Sequence, residues 1–89
     1  MNMRQKFRID KNAIAYRIIS GKGVILNLET SYYYTLNKSA TQIWDLLNKG
    51  KDLEEILTYL KKEYPLPEEK LREDLMELIK DLKKEKLIT

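Results

Sequence analysis

Residues 23–47 read GVILNLETSYYYTLNKSATQIWDLL, and the hydrophobic period changes within that stretch. Up to Leu36 the spacing is that of strands. Val24, Leu26 and Leu28 alternate with Ile25 and Asn27, Glu29-Thr30-Ser31 reverses the chain, and Tyr32 to Leu36 forms the next strand. Beyond Leu36, Ala40, Ile43, Trp44 and Leu47 fall at i, i+3, i+4 and i+7, one face of a helix. A tyrosine-crowded last strand followed directly by helices leaves a sheet edge to which another chain's backbone can add as a strand.

Upstream, Phe7 and Ile9, then Ile14, Tyr16 and Ile18, also alternate, and Gly21-Lys22-Gly23 is a turn signal. Residues 1–5 are expected to be loose. Downstream, Asn37 or Ser39 can cap the first helix, and Ser39 with Gln42 has capping-box form. Asn48-Lys49-Gly50 ends that helix. Asp52 and Glu55 form a second capping box ahead of a stripe of Leu53, Ile56, Leu57, Leu60 and Tyr64. Pro65-Leu66-Pro67 breaks the chain and opens a third helix with Leu71, Leu75, Leu78 and Leu82 as its main stripe. The order predicts one α+β domain over residues 1–89, an N-terminal three-stranded antiparallel sheet followed by three helices.

Seventeen Lys and Arg against fourteen Asp and Glu leave a formal charge of only +3, short of the basic stripe of a nucleic-acid binder. With no cysteine and no histidine, the common structural zinc sets, Ser-His and Cys-His nucleophile pairs and disulfides are excluded. The start, MNMRQKFRIDKN, has no apolar signal core, and no apolar run is long enough to span a membrane. A cytoplasmic protein with no catalytic, metal or cofactor site is expected. The carboxylate pairs Glu54-Glu55 and Glu68-Glu69 lie near helix N-termini, where the helix dipole accounts for them.

The third helix carries two apolar strips. Beside its leucine stripe, Ile79 and Met76 share a shoulder with Arg72, Lys80 and Lys83, while Asp74, Glu77, Asp81 and Glu85 form the opposite flank. The basic shoulder suits a groove wall for a peptide with apolar anchors and acidic residues. Ile79 alone reads as a widened core stripe, while the whole shoulder, Met76 between Arg72 and Lys83, reads equally as a groove wall or as gap filling. Strand propensity alone explains any single tyrosine of the triplet, but three in succession put at least one ring outward.

Glu29-Thr30, Tyr33-Tyr34, Leu36-Asn37, Ile43-Trp44, Leu47 and Gly50, continued by Tyr64, Leu71, Leu75, Leu78, Leu82 and Leu87, resemble the pyrroloquinoline-quinone synthesis protein D family. The resemblance runs from about Ile14 to Leu87. It implies a winged-helix-like recognition element for ribosomally made, modified peptides, in which the precursor's leader peptide adds beside the third strand and lies against the third helix. Carried onto this chain, Ser31, Tyr32, Tyr33, Tyr34 and Thr35 would supply the edge, and Arg72, Leu75, Met76, Ile79 and Lys83 the groove. The implied partners are the precursor's leader peptide and a maturation enzyme, either a lasso-peptide leader protease and cyclase or a radical-type iron–sulfur (radical-SAM) maturase. The turn before the tyrosines, often glycine-bearing in such proteins, is here Thr30-Ser31. The expected oligomeric state is a monomer or weak homodimer. The rival reading is a DNA-binding winged helix. It would bring Glu68, Glu69, Glu73 and Asp74 against phosphate with the wrong sign.

Overall fold

The computed structural model describes residues 2–89. Strands β1 (Ile14–Ile19), β2 (Lys22–Asn27) and β3 (Tyr33–Leu36) form an antiparallel sheet in the order β1-β2-β3. Helices α1 (Lys38–Asn48), α2 (Leu53–Glu63) and α3 (Glu68–Lys84) follow, giving the α+β order expected.

Each boundary has a local cause. The β1–β2 turn is Ser20-Gly21, with φ of 52° and 78° and Ile19 opposite Lys22. Two left-handed residues make the hairpin turn whose twist matches the flanking strands. Lys22 and Gly23 therefore belong to β2 rather than to the turn. Between β2 and β3 no glycine is used. The buried Asn27 accepts the N–H groups of Glu29 (3.0 Å) and Thr30 (3.3 Å) on Oδ1, and Ser31 takes the left-handed conformation at φ 65°. An asparagine that satisfies the turn from below does the work a glycine would otherwise do.

Asn37 caps α1 by accepting the Ala40 N–H, and Ser39 donates to the same Asn37 Oδ1, so the Ser39–Gln42 capping box does not form. The Asp52–Glu55 box of α2 does form. Pro67 is the N-cap of α3, which starts one residue later.

Trp44, Ile25, Leu47, Leu53, Ile56, Leu75 and Ile79 are the fully buried centre of the core. The Tyr16 ring meets Trp44 edge-on at 5.6 Å. Only one face of the sheet is covered. Ile14, Ile25 and Leu36 point at the helices, while Ile19 (55% exposed) and Tyr33 (70%) share the bare side with Arg17, Val24 and Leu26.

The N-terminal segment, which turns at Met3-Arg4, joins no strand of the sheet. Met3 and Gln5 accept the N–H groups of Glu54 and Leu53 through their carbonyls, which fixes a stretch expected to be loose onto the start of α2. Met1 lies outside the described residues. Phe7 is buried, and Arg8 exchanges two backbone hydrogen bonds of 2.9 Å with Thr89. The tail reaches Arg8 because Lys86 turns at φ 59° and drives Leu87 and Ile88 into the core.

Candidate functional site

β3 is an edge strand of the sheet, as β1 is on the other side. Asn27 N–H donates to the Tyr32 carbonyl, and Ile25 stands opposite Tyr34, so Tyr34 and Leu36 direct their peptide groups toward β2. In an antiparallel ladder the alternate residues then direct theirs away. The N–H and C=O of Tyr33 and Thr35 accordingly face outward. Among the described residues no strand lies on that side, and the tail that could have filled it is paired with Arg8 instead.

Side-chain direction follows the same alternation. Tyr34 and Leu36 point to the helix side, Leu36 buried and Tyr34 half-buried, whereas Tyr33 and Thr35 are exposed on the bare side. Ser31 and Tyr32 precede the strand within the turn, both exposed.

The Thr41 hydroxyl ties β2 to the start of α1. The Gly23 N–H donates to Thr41 Oγ1 at 2.7 Å, and the Thr41 hydroxyl donates to the Asn37 carbonyl at 2.8 Å. A Cβ on Gly23 would stand 3.3 Å from that same oxygen and 3.4 Å from Leu36 Cδ1, so a side chain there would press Thr41 and Leu36 aside by a few tenths of an ångström.

A groove of about 300 Å³ opens beside the C-terminal end of β3, between α1 and α3. Asn37, Ser39, Ala40 and Ile43 form one wall, and Asp74, Glu77, Leu78 and Asp81 the other. Farther along, Tyr34 Oη donates to Glu85 Oε2 at 3.0 Å, so the acidic flank of α3 runs beside β3. Loss of hydration and the adjacent Glu85 carboxylate raise the Tyr34 phenol above its ordinary value. The carboxylates are strung along the helix and do not converge. Among the described residues no cluster of acids could hold a metal ion, and no helix is long and apolar enough to cross a membrane.

The residues expected to line the groove are spread over different sides of α3. Arg72 lies on the opposite flank of α3, lining a cleft with Met3, Leu57 and Lys61 and pairing with Glu68 at 3.0 Å. Lys83 stands 5.0 Å above the Phe7 ring, a cation on an aromatic face. Met76, on the same helical stripe, is half-buried against the core. The basic shoulder is therefore occupied by the N-terminal segment. Leu75 and Ile79 are fully buried, so they support the helix from beneath and offer no surface. Conversely Leu78, expected in the core stripe, is only half-buried and emerges in the acidic groove. Sequence reading missed Leu78, Asp74, Glu77, Asp81 and Ile43 as groove residues. A leucine flanked by acids at i−4 and i+3 was the available signal.

No curated protein sequence matches the chain. Among solved structures, the fold matches "TbiB1 in Complex with the TbiA(beta) Leader Peptide" with a TM-score of 0.85, 28% identity and coverage of 91% of this chain and 94% of that one. It also matches "Lasso peptide synthetase B1 complexed with the leader peptide" with a TM-score of 0.87 over 96% of this chain and 99% of that one. At 22% identity this second match is a likeness of fold. The family model for coenzyme PQQ synthesis protein D matches residues 22–88, from the first residue of β2 through α3 to the returning tail, and the chain belongs to that family.

Proposed function

We propose that this chain captures the leader segment of a ribosomally made precursor peptide by strand addition at β3 and presents it to a maturation enzyme. One observation carries the reading. The outward peptide groups of Tyr33 and Thr35 form an unpaired edge, with a groove between α1 and α3 opening past its end at Asn37, in a fold that matches TbiB1 in complex with a leader peptide at 28% identity. Backbone bonds along the edge give affinity that tolerates sequence, and the guest's alternate side chains entering the groove give selection. The domain acts by binding rather than by catalysis, raising the precursor's effective concentration at an enzyme such as a lasso-type leader protease and cyclase. Duplex DNA is not favoured as a ligand, because the first turns of α3 carry Glu68, Glu69, Glu73 and Asp74.

The test is fluorescence polarisation with leader peptides of precursor reading frames neighbouring the gene. Tyr33→Pro deletes an outward N–H while sparing the bonds between β3 and β2, so it is expected to weaken binding about tenfold or more with the fold intact. Unchanged binding in a folded Tyr33→Pro variant would sink strand addition at this edge.

A further inference from the structure

We infer that the guest accepted at β3 is a basic segment, with lysine or arginine at alternate positions around an apolar anchor. The inference rests on the strand-addition reading and names the chemistry of its ligand.

The chain as a whole carries a formal charge of +3, yet the charged residues lining the groove are Asp74, Glu77 and Asp81. Asp74 is partly neutralised by Lys70 at 3.1 Å, and its carboxylate raises the Lys70 ammonium above its ordinary value. Neither Glu77 nor Asp81 has an ion-pair partner among the described residues. Glu85 continues the row and receives only the neutral Tyr34 hydroxyl. An acidic guest would meet like charges, whereas cationic side chains would supply the missing partners. Leu78, half-buried between the carboxylates and the α1 wall, provides the apolar contact, with the buried Ile43 behind it.

Spacing agrees with alternation. From Asp74 to Glu85 the helix rises about 16 Å. Three guest side chains on one face of a strand span about 13 Å. Consecutive inward positions i, i+2 and i+4 therefore run the length of the row, with room for an anchor over Leu78 between two cations. The carboxylates are too dispersed to share one metal ion, which leaves separate ammonium or guanidinium groups as their natural counterions.

The experiment is selection of a random display library of about twelve-residue peptides on the full chain, followed by polarisation with the enriched peptides. Amide shifts of Tyr33 and Thr35 are recorded in parallel. Expected are peptides enriched in Lys and Arg at alternate positions. Their affinity should fall about tenfold in the Glu77→Lys/Asp81→Lys variant, and their affinity for the wild-type chain should fall as salt rises from about 50 to about 500 mM. The milder Glu77→Gln/Asp81→Asn pair replaces it should the reversal unfold the chain. Peptides that shift the Tyr33 and Thr35 amides without basic enrichment, or that bind the folded variant equally well, overturn the charge assignment and leave strand addition standing. Peptides that bind without touching those amides, or no enrichment at all, overturn strand addition and this inference with it.

Discussion

Tyr34 and Glu85, 51 residues apart, are joined by a 3.0 Å hydrogen bond from the phenol to the carboxylate, which marks the flank of α3 that faces β3. The raised phenol value has a defined consequence for stability. A group whose folded value lies above its unfolded one stabilises the fold below the unfolded value and loses that contribution as pH rises through the folded one. Wild type should therefore exceed Tyr34→Phe in stability near neutral pH. The difference should shrink above about pH 10. Urea unfolding at two pH values checks this, and a difference that grew with pH would contradict the assigned hydrogen bond.

Thr41→Val keeps the shape of the side chain but leaves the buried Gly23 N–H without its acceptor. The loss should be about 1–3 kcal/mol. Unfolding followed through the single tryptophan, Trp44, which is fully buried, reports it directly.

The basic flank should be silent in binding. Lys83→Glu breaks the contact with Phe7 but removes nothing from the β3 groove. Peptide affinity is expected to stay within about twofold of wild type, since exposed charges distant from a site contribute little. A large loss by polarisation would return the groove to that side. Leu75→Ala, by contrast, should cost about 2–5 kcal/mol of stability through a core cavity, seen in urea unfolding.

Glu68 accepts from Lys61 (2.7 Å) and Arg72 (3.0 Å), and these two cations hold its carboxyl below the usual value. The stabilisation is present above the unfolded carboxylate value, about 4.3, and is lost as pH falls through the lowered folded one. Glu68→Gln should flatten the acid limb of the stability profile. Thermal melts between neutral pH and about pH 3 test it, and an unchanged acid limb would show that the pair contributes nothing in solution.

The sequence made the element order legible because each transition had a local mark: strand alternation to Leu36, then helical spacing at Ala40, Ile43, Trp44 and Leu47 behind the Asn37 cap. The Asp52–Glu55 box and the Pro65–Pro67 break marked the other helix starts. What it could not show was which flank of α3 faces the sheet. A helical wheel separates Arg72, Met76 and Lys83 from Asp74, Glu77 and Asp81, but orientation is fixed by how the buried Leu71, Leu75, Ile79 and Leu82 pack against distant parts of the chain, which leaves Lys83 over Phe7 and Glu85 beside Tyr34. The extended Phe7–Ile9 run resembled a strand for a related reason. Its alternation records one side chain buried in the core and another packed against it, with no ladder to join.

The uncovered sheet face around Ile19, Leu26 and Tyr33 gains a different meaning once β3 has a neighbour. A fourth strand would send every second side chain to that exterior, extending it beyond Tyr33 with residues belonging to the newcomer. The loaded domain would thus display a composite platform that the empty one lacks, so any protein docking there could distinguish the two by shape alone.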